Sequence, residues 1–432
     1  MKAYVQEISR DIIKPSCQTP HHLRKLRLSY LDQLVPSFYV PLLFFFKADE
    51  LRGLTTSDHV RISQKLKQSL SNTLTSFYPL AGSIKDHTIV DSNDVGVEFI
   101  EARVNTQLVE AIREVDMENL KQYLPVDPTT GEERTLLLVQ VTFFNCGGIA
   151  IGMCMLHQVA DLASVMAFIN TWAATCRGEA ERPSVSFNLA SYFPPRDFPG
   201  SDFWRSSSAT TEEFVTKRFV FDETKLAVLL KGAAGSVKNP TRVEVVSAFI
   251  WKQFRKMEPG KTFAAGHAVN LRTRTGPPHR LENVFGNCFV LKFAFSNSAK
   301  YEGTVEEFHD LVSKLRSAIR TVDDEYIQKS QGTGESSYLN DLFVTSPLVL
   351  KGDLELCGFS SWCGFPVYEV DYGWGSPIWF CTTAVAAKNS TVLVDSKCGH
   401  GIEAWVNVKR DNVEMLETQV NLLSSVDRCT QS

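Results

Sequence analysis

The chain has 432 residues, 44% of them hydrophobic and 22% charged. That is more apolar material than one core usually organises, so two domains are expected and intrinsic disorder is excluded. The formal net charge is −4, with Lys and Arg scattered rather than gathered into a stripe, which argues against nucleic acid as a partner.

The first residues, MKAYVQEISRDIIKP, lack the apolar run of a signal peptide, and no later run approaches the roughly 20 residues that span a bilayer. A soluble cytosolic protein with no membrane partner is the expectation. Ten cysteines lie between Cys17 and Cys429 without paired spacing and read as reduced, mostly buried thiols. No CxxC pair occurs, so no zinc site of that kind is expected.

In chain order, the spacing of Val60, Leu66, Leu70, Leu74 and Phe77 predicts a helix over 58–77, with Thr56, Ser57 and Asp58 as caps and Tyr78-Pro-Leu-Ala-Gly82 as its stop. Leu136 to Phe144 and Ile149 to Leu156 read as strands joined through Asn145-Cys-Gly-Gly148. Leu162, Val165, Met166, Ile169 and Trp172 then recur at helical spacing. Between Gly178 and Glu213 the chain becomes rich in Pro, Ser and Phe and reads as a crossover between domains. The expected boundaries are 1–195, a linker over 196–215, and 216–432.

Beyond the crossover come a strand at Lys217 to Phe221, a helix from about Thr241 to Met257, and strands near Phe263 to Asn270 and Cys288 to Phe295. A helix opens at Thr304 with the capping box Thr304-Val-Glu-Glu307, and Val305, Phe308, Leu311, Val312, Leu315 and Ile319 form its buried face. Strands near Ile378 to Val385, Thr391 to Asp395 and Ile402 to Val408 precede a last helix at about 412–423. Strands and helices mix in both halves, so the class is α/β or α+β, without an internal repeat.

His157 sits at the join of a strand and a helix, in His-x-x-x-Asp with Asp161. Two readings stay open. On one helical face the carboxylate would fix the imidazole tautomer of a catalytic dyad; as a cap or an ion-pair partner it would merely hold the loop. One His and one Asp make too few metal ligands, and no H-E-x-x-H, G-x-S-x-G, P-loop or dinucleotide fingerprint is present. Cys154, on a strand, reads as a core thiol rather than a nucleophile. Asp371-Tyr-Gly-Trp-Gly375 reads as a tight turn with a packed Trp.

HQVAD (157–161) and DYGWG (371–375) together resemble the HxxxD and DFGWG signatures of the plant BAHD acyltransferase family. The likeness extends through LSYLDQLVP, FYPLAG, GVEFIEA, TRVEVVSAFIWK, AVNLRTRTGPP, NVFGN, SSWC and GIEAW, in order along nearly the whole chain. Within the family it is nearest the vinorine synthase-like branch of alkaloid acetyltransferases. The resemblance implies two chloramphenicol-acetyltransferase-like α/β domains with mixed sheets and a solvent channel between them, a segment near 355–405 joining the N-terminal sheet.

It also implies transfer of an acyl group, usually acetyl, from acyl-CoA to a hydroxyl of a specialised metabolite, with acetyl-CoA a cosubstrate and no bound cofactor or metal. The partners are then acyl-CoA and a small alcohol acceptor, and the protein is a monomer. His157 becomes the general base. Asp161 becomes structural, paired with Arg272 rather than Arg274, and the turn of Asp371, Gly373, Trp374 and Gly375 is structural too. Ser360 and Trp362 become candidates for the acyl site and its oxyanion. At the helix start, Thr241 and Arg242 are CoA-phosphate candidates, with ordinary capping an equal alternative.

Three departures from the family pattern stand out. Leu162 follows Asp161 where many members have Gly, Tyr372 replaces Phe and adds a hydroxyl expected at most to reach solvent, and Gly364 stands where an Arg is usual.

Overall fold

The computed structural model describes residues 4–47, 56–85, 88–113, 115–128, 135–179, 184–197, 213–235, 237–276, 280–296, 307–383 and 387–425. The chain divides into two compact units, one of residues 1–205, 283–288 and 365–384, the other of residues 206–282, 289–364 and 385–432. Both are mixed α/β, each around a six-stranded sheet.

In the first unit the strands are β1 (Val5–Ile13), β2 (Lys25–Arg27), β3 (Tyr39–Phe46), β4 (Ser83–Lys85), β5 (Ile89–Asp91), β6 (Val97–Val104), β7 (Leu137–Phe144), β8 (Ile149–Leu156) and, from late in the chain, β13 (Trp379–Cys381). The main sheet runs β1-β6-β7-β8-β3-β13, with β6 and β7 parallel and the other neighbours antiparallel. A small sheet β2-β5-β4 stands beside it. Every residue of β7 and β8 is buried, as expected of strands covered on both faces.

Two helices cover this sheet, α1 (Thr56–Ser76) and α2 (Leu162–Arg177). On α1, Ile62, Leu66, Leu70, Leu74 and the following Phe77 are buried. Val60 is 50% exposed, contrary to its place on the expected apolar face. The buried row steps by four from Ile62, and two residues earlier is about 200° round the helix. Trp172 of α2 donates its indole N–H to the Leu66 carbonyl (3.2 Å) and Ser69 Oγ (3.1 Å), locking the two helices together.

In the second unit the strands are β9 (Phe214–Phe221), β10 (Phe263–Asn270), β11 (Phe289–Phe295), β12 (Glu355–Ser361), β14 (Ser390–Asp395) and β15 (Ile402–Lys409), in the order β11-β10-β12-β14-β15-β9. β12 pairs parallel with both β10 and β14. Helices α3 (Glu223–Ala233), α4 (Arg242–Met257), α5 (Phe308–Arg320) and α7 (Val413–Ser425) supply the apolar side chains that meet the sheet, with Trp251, Phe254 and Leu311 buried. α6 (Ser337–Leu350) shows Phe343, Val344 and Leu350 to solvent.

The described part of α5 begins at Phe308, with Glu307 and Asp310 forming its capping box; the expected box at Thr304 lies outside the described residues, as does the end of the strand expected up to Val385. Among the described cysteines Cys154, Cys176, Cys288, Cys357 and Cys381 are buried and all are free thiols. No helix among the described residues is long and apolar enough to cross a membrane.

Candidate active site

β8, held between β7 and β3, delivers the histidine. The chain leaves the sheet at Leu156 and makes one 3-10 turn over His157–Val159. The His157 N–H donates to the Phe38 carbonyl (2.9 Å), and the Ala160 N–H closes the turn on the His157 carbonyl (3.3 Å). The ring stands edge-on to Phe38, with centroids 5.3 Å apart. Its Nδ1 lies 3.2 Å from the Ala160 carbonyl. A carbonyl only accepts, so in the neutral ring Nδ1 bears the proton and Nε2 the basic lone pair. Burial pushes the imidazole below its ordinary value of 6.5, against the upward pull of backbone carbonyls, the Asp161 charge and the Asn287 side chain. At neutral pH the ring is therefore uncharged and able to take a proton.

Asp161 is buried and faces backbone. One oxygen caps α2 by accepting from the Ser164 N–H (3.0 Å), and the other accepts from the Cys288 N–H (3.0 Å). Ser164 Oγ in turn contacts both the N–H and the carbonyl of Gly286 at 3.0 Å. The segment 283–288 thus clasps the His157 loop. Gly286 has φ +130°, and a Cβ there would lie 2.7 Å from Leu189 Cδ2, so glycine is required.

The next residue, Asn287, is fully buried; its Nδ2 donates to Asp32 Oδ1 (3.0 Å) and to the His157 carbonyl (2.9 Å), and its N–H donates to Asp32 Oδ1 (2.7 Å). Asp32 Oδ2 accepts from the N–H (2.9 Å) and hydroxyl (2.6 Å) of Ser29. Neither Asp32 nor Asn287 received a role from the sequence. Ser29-x-x-Asp32 was readable as a capping box, whereas the partners of Asn287 lie 130 and 255 residues away.

The DYGWG turn sits at the other end of α2. Asp371 Oδ1 accepts from the N–H groups of Gly373 (2.7 Å), Trp374 (3.0 Å) and Gly375 (2.9 Å), and Arg177, the last residue of α2, donates to the Asp371 carbonyl. The 16 residues of α2 put about 24 Å between this turn and Asp161. Tyr372 and Trp374 stack at 5.6 Å against Phe46. Tyr372 is fully buried, and its hydroxyl is buried without a hydrogen-bond partner; it does not reach solvent as expected, because Trp172 and Phe46 close over the ring.

In the second unit Ser360 lies on β12, half-buried, and Trp362 follows it, buried, with its N–H donating to the Leu393 carbonyl (2.7 Å). Arg272 is buried just beyond β10 and bonds Asn270 Oδ1 through its N–H (3.0 Å). Arg274 is spent on the Ile319 and Val322 carbonyls at and beyond the end of α5 (3.0 and 2.8 Å).

Thr241 caps α4 in a box with Glu244, and Arg242 bonds Asp395 (3.0 Å) and the Gly399 carbonyl (2.5 Å), so both CoA candidates are engaged by their own unit. Gly364 has φ +82° and donates its N–H to Asp395 Oδ2 (2.7 Å); an Arg there would be strained by the backbone itself. Cys154 is buried and burial pushes its thiol well up, which removes it as a nucleophile. Among the described residues no group of three His, Cys, Asp or Glu side chains could hold a metal ion.

The profile of the Transferase family matches residues 3–423 of the chain. The chain belongs to the BAHD acyltransferase family. Among BAHD relatives it is 38% identical to stemmadenine O-acetyltransferase of Catharanthus roseus over 443 residues, 99% of both chains. It is 38% identical to vinorine synthase of Rauvolfia serpentina over 442 residues, again 99% of both. The crystal structure of vinorine synthase superposes with a TM-score of 0.81 at 36% identity, covering 95% of this chain and 96% of that one. As a BAHD member, the chain is an acyltransferase with the two-domain mixed α/β fold of that family.

Proposed function

We propose that the chain is an acyl-CoA-dependent O-acyltransferase that moves acetyl from acetyl-CoA to a hydroxyl of a plant specialised metabolite, a monoterpenoid indole alkaloid in first place. The observation that carries the reading is the His157 ring: neutral, with Nδ1 set on the Ala160 carbonyl and the lone pair on Nε2. The likeness to stemmadenine O-acetyltransferase and vinorine synthase supports the choice of chemistry and acceptor.

His157 Nε2 removes the proton of the acceptor hydroxyl as its oxygen attacks the thioester carbonyl. The C–O bond forms, the carbonyl π pair moves onto oxygen, and that oxyanion calls for preorganised donors. Ser360 and Trp362 are the proposed donors. Collapse of the intermediate expels the CoA thiolate, which takes the proton back from the imidazolium. No covalent enzyme intermediate is required. Asp161, with Arg272 as its proposed partner, keeps the loop in place, and the DYGWG turn is structural. On this reading the enzyme is a cytosolic monomer with two diffusible substrates.

The test is mass-spectrometric product detection with purified protein, acetyl-, malonyl- and benzoyl-CoA, and a panel of indole-alkaloid and terpenoid alcohols, run beside His157→Ala. An acetylated product that disappears in the variant is expected. Equal turnover by the variant sinks the base assignment, and a product only with malonyl- or benzoyl-CoA changes the donor.

A further inference from the structure

We propose that Asn287 and Asp32 are positioning residues for His157: the Asn287 side-chain amide, gripped by the buried Asp32 carboxylate, fixes the carbonyl on which the histidine turn closes. This rests on the general-base reading of His157.

The geometry divides the two hydrogens of one amide. One goes to Asp32 Oδ1 at 3.0 Å and the other to the His157 carbonyl at 2.9 Å. Because both partners only accept, the amide cannot be turned over, so its orientation is determined by the network itself. The same His157 carbonyl accepts the Ala160 N–H that closes the 3-10 turn, and the Ala160 carbonyl is what Nδ1 faces. Holding the first carbonyl therefore holds the second, and with it the tautomer.

Asp32 is what makes the grip firm. It is 3% exposed, and its contacts, two from Asn287 and two from Ser29, are all with uncharged donors. Burial pushes its carboxyl up while those four bonds favour the ionised form. All four groups facing it are donors, so its two oxygens serve as acceptors, and bonds to a carboxylate are stronger than bonds to a neutral oxygen. Gly286, with a φ of +130° that a side chain would strain, leads directly into Asn287, whose N–H and side chain both meet one oxygen of Asp32.

The experiment uses full-length protein with 15N-labelled histidine, reading the His157 ring by long-range 1H–15N correlation through a pH titration and assigning it with His157→Gln. This needs no substrate, so it stands whether or not the acyltransferase assay finds an acceptor. Wild type should show the Nδ1-protonated tautomer and a pKa below 6.5. Asn287→Ala should give mixed tautomers and a still lower pKa; Asn287→Ser serves if the alanine variant does not fold. Where a product assay is in hand, kcat should fall by about 10- to 100-fold, with the KM for acyl-CoA within about twofold, the scale expected of a displaced catalytic group.

The exchange Asp32→Asn with Asn287→Asp separates positioning from mere stapling. It can rebuild the bond between the two side chains but leaves no donor for the His157 carbonyl. The expected result is a melting temperature recovered relative to the single variants with the tautomer still mixed. An unchanged tautomer and pKa in Asn287→Ala, or an exchange variant that recovers the wild-type ring spectrum along with its melting temperature, overturns the proposal.

Discussion

The two ends of α2 carry turns built by the same device and put to different use. At each, a carboxylate gathers backbone N–H groups: Asp161 takes those of Ser164 and Cys288, Asp371 those of Gly373, Trp374 and Gly375. At the N-terminal end the gathered backbone supports an imidazole in a defined tautomer, whereas at the C-terminal end it supports two stacked aromatic rings. An acceptor-built turn is thus a general way to hold a short loop. What it does is decided by whether the side chain it presents can exchange a proton.

The comparison breaks most sharply at the histidine. His157→Ala should lower kcat by about 10²- to 10⁴-fold, the range of a lost general base, while the melting temperature moves by only a few degrees; turnover within tenfold of wild type would put the chemistry elsewhere.

Next comes the pair of carboxylates. Asp161→Ala loses the helix cap and strands the buried Cys288 N–H, a cost of roughly 2–4 kcal/mol. Activity per folded molecule should fall with it, because the histidine loop is no longer clasped. Asp371→Ala should lose about 1–2 kcal/mol, water replacing part of what the carboxylate gave, and leave kcat unchanged. Denaturation midpoints beside kcat for both variants check this, and a kcat loss at Asp371 would erase the contrast between the two ends.

The pH dependence sharpens it further. With the folded pKa of His157 below 6.5, kcat/KM should be flat above that value and fall as pH drops through the folded pKa. His59 and His267 are also lowered by burial. Between the folded and unfolded pKa the unfolded chain binds more protons at all three, so stability rises with pH in that window and is lost as pH falls through the folded values. An acid limb centred above 7 would contradict the burial of the ring.

The smallest effect concerns Tyr372. Replacing it with Phe removes a buried hydroxyl that has no partner, so the variant should be more stable by about 1 kcal/mol, read as a rise in melting temperature with kcat unchanged. A loss of stability would mean that the hydroxyl is satisfied by bound water.

Much of this was legible in the sequence wherever structure is local. β10 was expected over Phe263 to Asn270 and runs between those residues, the β7–β8 hairpin was marked by two apolar runs around the Asn145-Cys-Gly-Gly148 turn, and the helix after Asp161 by its 3.6-residue spacing. YVPLLFFF of β3 is continuously apolar and carries a proline inside the sheet, so no alternation marks it as a strand. α6 shows no helical stripe because apolar residues lie on all its sides, and Phe343, Val344, Leu348 and Leu350 face solvent. At the site, His157 was readable as a residue held between two elements, but the network beneath it was not. Asp32, His157 and Asn287 are far apart in sequence, and no spacing rule reaches that distance.

The late-arriving pieces of the first unit set the order in which it can be made. Residues 283–288 and the edge strand β13 belong to that unit although the former follow the first stretch of the second unit, 206–282, and the latter follows most of it. During synthesis at roughly 5–20 residues per second, the N-terminal 205 residues wait many seconds with β3 as an open, apolar edge and the histidine turn unclasped. An uncovered edge of that kind is a template for aggregation. The first unit should therefore be insoluble as an isolated fragment, which expressing residues 1–205 alone would check.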